Sequence, residues 1–255
     1  MSLTLTPIPG IPMIKPGDDL ADIIENSIRA AGIQPQNDDI WVLAQKIVSK
    51  SENRLVNLNQ VIPSKRAFEI ANKTRKDPRF VELVLRESNY VLREKPGALI
   101  VEHKAGFICA NAGIDHSNVE GDGRETEDWY LLLPESSDDS ARRIRLKLEN
   151  AFKLHFGVLI IDSHGRAWRN GTVGTSIGFS GLPGLVDLRG RRDLFGYKLQ
   201  ITQVGAADEL AAAASLVMGQ ADESQPVVLA RGFPYPLRDG RISELIRQRE
   251  EDLFR

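Results

Sequence analysis

Two short runs of apolar residues constrain the fold more than any other feature of the sequence. One run begins the segment 40–48, and the other covers residues 158–161. Apolar runs without polar alternation are typical of strands that are buried on both faces. The first run predicts a core strand over residues 40–48 that carries Gln45, Lys46 and Lys50 towards its carboxyl end. The second predicts another core strand that ends just before Asp162.

The remaining patterns predict both helices and strands. Capping residues and helical spacing predict helices over residues 18–32, 64–88 with a break at Pro78, 137–156 and 208–218, and a charged helix at the carboxyl terminus. Strand-like runs cover residues 3–6, 98–102, 107–110, 198–202 and 227–230, and the second and third of these are spaced as a hairpin. The helix over 137–156 is expected to bury Ile144, Leu146, Leu148 and Phe152 and to stop before Gly157.

These elements predict an α+β fold with mixed, largely antiparallel sheets and flanking helices. Five glycines between residues 171 and 184 predict bends and close backbone approach. The length of 255 residues predicts one module over residues 1–255, either a single large domain or two intertwined lobes. The sequence contains neither GxxxxGK[ST] nor GxGxxG, so we expect no P-loop or Rossmann fold.

Composition excludes several classes of protein. The 33 basic and 35 acidic residues give a formal charge of −2, which disfavours binding to nucleic acid or to an anionic membrane. Cys109 is the single cysteine, so no intrachain disulfide can form, and the four histidines lack zinc-finger spacing. The longest nearly apolar run, residues 210–218, is far shorter than the roughly 20 residues of a membrane span. Because the first basic residue is Lys15, a secretory signal is not expected, and we predict a cytoplasmic protein.

One hydrolase motif occurs without its structural context. Residues 174–178 match GxSxG, the nucleophile elbow, which requires a strand, a sharp turn and a helix. Glycine and proline follow Ser176, and all four histidines precede it, whereas that fold places the histidine after the serine. A hydrolase triad is therefore disfavoured.

Two carboxylates are more informative. Asp115 and Asp162 each follow a strand-like run, and two such side chains that converge could bind Mg²⁺ or Mn²⁺. The alternative is that each is an ordinary turn or cap residue. Lys46 and Lys50 are four residues apart and could hold phosphate, or could simply be exposed. The acidic stretch 115–139 is expected to be mostly a solvated loop.

A resemblance to a known family rests on several short motifs taken together. They are AQKIVSKSE (44–52), NAGIDHSN (111–118), IDSHGR (161–166) followed by WRNG (168–171), ADELA (207–211), MGQ (218–220) and RG (231–232). Their order and spacing resemble those of the coenzyme F420-0:L-glutamate ligase family over about residues 7–231. The stretch 118–131 departs from the family, since it is longer and more acidic than the usual link.

The resemblance implies a ligase that depends on GTP and on divalent metal. Such an enzyme adds L-glutamate to coenzyme F420-0, first by an amide bond and then through γ-linkages, by way of an acyl phosphate that leaves GDP and phosphate. It implies two Mg²⁺ or Mn²⁺ ions, with a monovalent cation such as K⁺ as a further candidate. It also implies an intertwined homodimer with an α+β fold unrelated to P-loop or Rossmann proteins. The nitroreductase-like carboxyl-terminal domain of some bacterial relatives is not expected here.

The family's site residues match positions of this sequence one by one. Asp115 and Asp162 match the carboxylate ligands of the metals, and Ser163 matches a hydroxyl ligand of the second metal. Gln220 matches a further ligand that is Glu in some relatives, so the second metal would meet less negative charge. The positions that match GTP contacts are Pro9, Gly10, Ile11, Pro12, Gln45, Lys46, Lys50, Asn118 and residues 218–225, which include Met218, Gly219 and Gln220. Asp115, Asp162 and Lys50 are the residues expected to be catalytic.

Two other functions remain open at this point. The chain could be another metal-dependent phosphoryl-transfer enzyme with a different acceptor, or a non-catalytic protein that binds the deazaflavin. The homodimer has a sequence signal of its own, because residues 177–186 are apolar and rich in glycine. Phe179 and Leu182 are therefore expected at the subunit interface.

Overall fold

A five-stranded mixed sheet lies at the centre of the computed structural model, which describes residues 2–119 and 128–252. In chain order the strands are β1 (Thr4–Pro7), β2 (Asp39–Ala44), β3 (Leu55–Asn57), β4 (Ser88–Lys95), β5 (Ala98–His103), β6 (Ile108–Ala110), β7 (Trp129–Leu131), β8 (Phe156–Arg166), β9 (Arg169–Ser180), β10 (Val186–Asp187), β11 (Gln203–Val204) and β12 (Val227–Arg231). The helices are α1 (Leu20–Ala30), α2 (Gln45–Ser51), α3 (Lys65–Thr74), α4 (Pro78–Arg86), α5 (Ser137–Phe152) and α6 (Ala206–Met218).

The strand order of the central sheet is β1-β12-β2-β8-β9. Within it, β2 and β8 run parallel, and the other neighbours are antiparallel. The parallel pairing extends from Asp39 opposite Phe156 to Ala44 opposite Ile161. The residues that follow this pairing on the two strands therefore meet at the same edge of the sheet, which brings the start of α2 beside Asp162.

Both faces of the central sheet are covered by helices. Trp41 and Leu43 of β2 pack with α1 and α5 on one face, whereas Ile40 and Val42 pack with α6 on the other. This arrangement confirms that the two apolar runs form strands buried on both faces. It follows from the alternation of side chains along a strand, which sends neighbours to opposite sides of the sheet.

A smaller part of the structure packs beside this sheet. It consists of the sheet β4-β5-β6 and helices α3 and α4, which share a core cluster that includes Leu83, Leu99 and Val101. The short pair β3–β7 lies next to it. An isolated bridge between Asp115 and Leu131 extends that pair towards the edge of the central sheet where β2 ends. The segment that follows β6 thus brings Asp115 to that edge of the central sheet.

The predicted fold class is confirmed: the structure is α+β, with mixed, largely antiparallel sheets and flanking helices. The helices predicted over 18–32, 64–88 and 208–218 are present, and Pro78 begins α4 as expected. The hairpin over 98–110 and the outer strands β1 and β12 are also present. Within the described part of the chain, no helix has the length and apolar character needed to cross a bilayer.

The strand predicted over 40–48 is too long. It ends at Ala44, and α2 begins at the next residue, so Gln45, Lys46 and Lys50 lie on a helix. Ile47 and Val48 still pack into the core, but they do so from the buried face of that helix. A short apolar run does not distinguish a strand from a buried helical turn, which explains the error.

The prediction that Asp115 and Asp162 terminate strands also needs correction. β8 continues to Arg166, so Asp162 lies within the strand, although it directly follows the last residue paired with β2. Asp115 follows a 3-10 turn over Asn111–Gly113 rather than a strand. In that turn Asn111 and Ala112 have φ values of 54° and 55°. Such left-handed backbone at a buried alanine is uncommon and cannot be predicted from the sequence pattern.

Other sequence predictions are wrong in detail. No strand covers 198–202, and two 3-10 turns, Ile242–Glu244 and Arg249–Glu251, stand where the charged terminal helix was expected. Helix α5 ends at Phe152 because Lys153 takes the left-handed conformation, and Leu146 is 47% exposed rather than buried. The acidic stretch 115–139 was expected to be mostly a solvated loop, and its residues 120–127 lie outside the described residues.

The apolar stretch 177–186 is not an exposed interface. Ile177, Phe179 and Leu182 are all buried within the chain. Phe179 and Leu182 pack with α6 in the second core cluster, and the Phe179 ring fills the space that a side chain at Gly184 would occupy. The basis for placing the subunit interface here is therefore wrong.

The glycines of β9 allow helices to approach the sheet closely. A Cβ at Gly178 would overlap the Cβ of Ser137 and would lie 2.6 Å from the backbone nitrogen of Asp138. A Cβ at Gly174 would overlap the carbonyl oxygen of Ala211. The prediction of close backbone approach over 171–184 is confirmed at these two positions, although most of the stretch is one long strand rather than a series of bends.

We predict that Gly178→Ala lowers the free energy of unfolding by about 1–3 kcal/mol, because backbone atoms at the start of α5 would have to move. Urea denaturation followed by circular dichroism measures this change. Gly165→Ala in the same hairpin is the control, since a Cβ there meets no heavy atom within 4 Å. Equal free energies of unfolding for the two variants would show that α5 can shift away from the sheet without loss of stability.

Candidate functional site

A cavity of about 890 Å³ opens at the edge of the central sheet where β2 ends, and we call it the site cavity. Its walls come from five parts of the chain: the loop before α1, the end of β2 with α2, residues 118–119, the middle of β8, and the end of α6 with the loop to β12. The lining residues are Ile11, Pro12, Met13, Ile14, Ala44, Gln45, Lys46, Ile47, Lys50, Asn118, Val119, Ile161, Asp162, Ser163, Ser215, Met218, Gly219, Gln220, Ala221, Asp222, Glu223, Ser224, Gln225 and Pro226.

Gln45 connects the central sheet to Asp115. Its side chain is buried, and its Nε2 donates a hydrogen bond to Asp115 Oδ2 at 2.6 Å. Its Oε1 accepts a hydrogen bond of 2.9 Å from Ser49, one turn further along α2. Both ends of the amide are thus used, which fixes the position of the Asp115 carboxylate although Asp115 lies 70 residues away in the chain.

Lys46 places a positive charge beside the same carboxylate. Its Nζ lies 3.6 Å from Asp115 Oδ2 and donates to the hydroxyl and the carbonyl oxygen of Ser117 at 3.0 and 3.2 Å. Lys50 is one helical turn further along α2 and also lines the site cavity. Spacing of four residues puts both ammonium groups on one side of the helix.

Asp115 and Asp162 are close enough to interact electrostatically. Burial raises the pKa of Asp115 to about 6, and the negative charge of Asp162 adds to the shift, while Lys46 and Gln45 oppose it. The same charge, together with burial as the larger cause, raises the pKa of the Cys109 thiol to about 12. Two carboxylates brought together in this way are unfavourable unless a cation or a proton lies between them.

Next to Asp162, the wall of the site cavity contains the side-chain oxygen atoms of Ser163, Gln220 and Ser215. The Ser163 hydroxyl donates to Gln220 Oε1 at 2.7 Å, and Gln220 Nε2 donates to the Ser215 hydroxyl at 3.0 Å. Three of the residues predicted as metal ligands, Asp162, Ser163 and Gln220, therefore line the site cavity, and the fourth, Asp115, interacts electrostatically with Asp162.

The chemistry of these donors fits a hard cation. Carboxylate, hydroxyl and amide oxygens are the ligands that Mg²⁺ and Mn²⁺ prefer, and Mg²⁺ usually keeps several ligands from water or substrate phosphate. Within residues 2–119 and 128–252, no three His, Cys, Asp or Glu side chains group as a metal site. The described residues thus offer two carboxylates and neutral oxygens, which suits an ion that completes its coordination with phosphate.

The loop after α6, which includes Gln220, forms a further part of the wall of the site cavity. Asn118 Nδ2 donates to the carbonyl oxygen of Ala221 at 3.2 Å and joins two segments that are 103 residues apart. Gly219 has φ of 75°, and a Cβ there would overlap the carboxyl group of Glu223. Glycine is therefore required where α6 ends and the loop turns into the wall.

Comparison with known proteins adds to this geometry. Residues 10–232 match the model of the family described as F420-0:gamma-glutamyl ligase. The chain belongs to this family. Curated relatives named coenzyme F420:L-glutamate ligase include one from Methanothermobacter thermautotrophicus, 44% identical over all of both chains. Another from Methanopyrus kandleri is 41% identical over all of this chain and 98% of its own. A third from Archaeoglobus fulgidus is 40% identical over all of this chain and 97% of its own.

Membership of the F420-0:gamma-glutamyl ligase family confirms the resemblance in the sequence and the expectation of a ligase. Most residues that the resemblance placed at GTP lie together in the site cavity: Ile11, Pro12, Gln45, Lys46, Lys50, Asn118, Met218, Gly219 and Gln220. Three predicted residues are not among those that line it. Pro9 and Gly10 lie further back in the loop before α1, where the Gly10 carbonyl accepts from Ser27, and Asp115 borders the cavity behind Gln45 and Lys46. The roles assigned to all of these residues in binding GTP or metal stay predictions.

Sequence reasoning missed two polar residues of the site. Ser215 hydrogen-bonds Gln220, and His164 hydrogen-bonds Asp162. His164 could have been found, because it lies two residues after Asp162 and shares its face of a strand. Ser215 could have been found by helical spacing, since it lies three residues before Met218 on α6.

Proposed function

We propose that the chain is a GTP- and divalent-metal-dependent ligase that adds L-glutamate to coenzyme F420-0, first by an amide bond and then through γ-linkages. One observation carries the proposal. The site cavity is large enough for a nucleotide, its lining includes Asp162, Lys46 and Lys50, and the Asp115 carboxylate lies 3.6 Å from Lys46 Nζ. The names of the relatives supply the substrates, coenzyme F420 and L-glutamate.

The chemistry of amide formation explains why a nucleotide is needed. A carboxylate and an ammonium do not condense at neutral pH, so the acceptor carboxylate must first be activated. In the proposed reaction a carboxylate oxygen attacks the γ-phosphorus of GTP, the bond to the β-γ bridging oxygen breaks, and an acyl phosphate and GDP form. The uncharged amine of glutamate then attacks the acyl carbon, the bond from that carbon to the phosphate oxygen breaks, and phosphate and a proton leave.

The residues of the chain act on this reaction by positioning and by charge. Asp115, Asp162, Ser163 and Gln220 would hold the divalent ions, which supply positive charge to the phosphate oxygens during transfer. Lys46 and Lys50 would hold the phosphates. Gln45 fixes Asp115, and the hydrogen bond from Asn118 to the Ala221 carbonyl joins two walls of the site cavity. No covalent intermediate on the enzyme is required.

Incubation of the purified protein with F420-0, L-glutamate, GTP and Mn²⁺, followed by mass spectrometry, tests the proposal. The expected product is heavier than F420-0 by one or more glutamate residues, and GDP appears in proportion. Replacement of GTP by ATP and of Mn²⁺ by Mg²⁺ gives the preferences. GTP turnover with no glutamate in the product would indicate a phosphoryl-transfer enzyme with another acceptor. Tight binding of the deazaflavin without turnover would indicate a binding protein.

We predict that Asp115→Asn and Asp162→Asn each reduce ligation by more than about 100-fold without lowering the thermal midpoint of the metal-free protein. The amide removes one of two repelling charges, and in the Asp115→Asn variant the side-chain oxygen can still accept from Gln45. Differential scanning calorimetry and the ligation assay check the two parts. A large fall in the midpoint would show that these aspartates are structural, and near-normal ligation at saturating Mn²⁺ would rule out their role in metal binding.

We predict that Lys50→Ala raises the KM for GTP by about 10-fold or more and leaves the KM for glutamate nearly unchanged. A lost charge-assisted hydrogen bond to phosphate costs about 1.5–3 kcal/mol. Lys50→Arg should restore part of the affinity, because it keeps the charge but changes the geometry. An unchanged KM for GTP in the alanine variant would remove Lys50 from the phosphate site.

The second part of the proposal is that the ligase is a homodimer. The segment between β10 and β11 carries four large side chains that the rest of the described chain leaves uncovered. Leu194, Phe195 and Ile201 are 98%, 95% and 87% exposed, and Tyr197 is 61% exposed. A second copy of the chain would cover this patch, since a twofold interface presents the same patch on both subunits.

We predict that the wild type sediments as one species of twice the 28.3 kDa chain mass at low micromolar concentration. Phe195→Asp should dissociate it, because a charge would replace a large apolar contact. Ile62→Asp is the control, since Ile62 is also largely exposed but lies outside this segment. A monomeric wild type, or a Phe195→Asp variant that remains dimeric, would contradict the assignment.

A further inference from the structure

His164 lies against the carboxylate that the family resemblance places at a metal. Asp162 and His164 are two residues apart on β8, so their side chains project from the same face. His164 Nε2 is 3.0 Å from Asp162 Oδ2, and the two side chains are only 11% and 12% exposed. Since a carboxylate accepts and does not donate, the imidazole must carry a proton on Nε2 to make this bond.

The imidazole ring is itself held in place by aromatic packing. The ring of Phe107 lies 5.4 Å from that of His164, centroid to centroid, with 46° between the planes. Phe107 also stacks on His103 at 4.9 Å and 5°. His103 is buried and stays neutral, because burial lowers its pKa to about 4. The three rings form a row from the small part of the structure to the Asp162 carboxylate, and this row limits rotation of His164.

From this geometry we propose that His164 is a positioning residue that orients the Asp162 carboxylate for a divalent cation. The bond from Nε2 engages Oδ2 and restricts rotation of the carboxylate, which lines the site cavity and would be held ready for an ion. A single N–H group on the ring is enough to make this hydrogen bond. The inference rests on the proposed function, which requires Asp162 as a ligand.

A hydrogen-bonding group behind a metal ligand has a measurable effect on affinity. Removal of such a group typically weakens metal binding by about 10- to 100-fold. A side chain that instead competed with the cation for Asp162 would give the opposite result, since its removal would tighten metal binding. The sign of the change in affinity therefore distinguishes a positioning histidine from a competing ion pair.

Titration of the protein with Mn²⁺ alone, with free Mn²⁺ followed by electron paramagnetic resonance, tests the proposal without turnover. His164→Phe should raise the dissociation constant for Mn²⁺ by about 10- to 100-fold, and His164→Gln, which keeps an N–H donor, should recover part of it. His155→Phe is the matched control, because the His155 side chain is 88% exposed and lies just before β8, at the opposite end of its pairing with β2. Thermal midpoints without metal show whether the variants fold.

The outcomes separate this inference from the proposed function. Wild type that binds Mn²⁺, with unchanged or tighter binding in His164→Phe, overturns the role of His164 and leaves the metal-dependent function intact. Wild type that binds no Mn²⁺, either alone or with GDP present, overturns both. If His164→Phe does not fold, His164→Ala and His164→Gln decide the question. Weaker binding in the alanine variant than in the glutamine variant supports the proposal, and equal affinity of wild type and both variants overturns it.

Discussion

The parallel pairing of β2 with β8 is the constraint on which the candidate site depends. The pairing ends at Ala44 and Ile161, so the residues that follow, Gln45 on one chain segment and Asp162 on the other, lie side by side at the sheet edge. Parallel neighbours need a long connection between them, and here the connection contains the whole of the small part of the structure. The chain can therefore return Asp115 to the same edge on its way from β2 to β8, where Gln45 fixes it.

The sheet edge and the small part are joined by polar bonds as well as by the backbone. Gln45 is buried, and both ends of its amide are used, which makes its position strongly determined. A buried polar group with satisfied partners specifies geometry more than it adds stability. The free energy that holds the site together comes instead from the apolar residues of β2 and β8, which are buried on both faces of the sheet.

Much of the fold was predictable because local signals agreed with the tertiary structure. The sequence also pointed to most of the predicted site residues that line the site cavity, but not to their geometry. Pro78 begins α4, and the runs at 40–44 and 158–161 form core strands. In the apolar run at 177–186, Phe179 and Leu182 are buried beneath α6 and Ile177 packs in the other core cluster, and sequence alone cannot distinguish such burial from an interface. The path to Asp115 depends on left-handed backbone over residues 111–112, for which glycine would be the usual signal. His164 was missed because its role depends on the ring of Phe107, which reaches it from the turn between β5 and β6.

The charge of the site cavity gives an independent reason for metal dependence in the proposed reaction. Among the described residues that line or border it, the acidic ones are Asp115, Asp162, Asp222 and Glu223, and the basic ones are Lys46 and Lys50. A nucleoside triphosphate would bring several further negative charges into this space. Like charges held a few ångströms apart cost several kcal/mol at low effective dielectric constant. The two lysines cannot offset both the carboxylates and the phosphates, so divalent cations between them would be part of the binding site for the nucleotide as well as part of the chemistry.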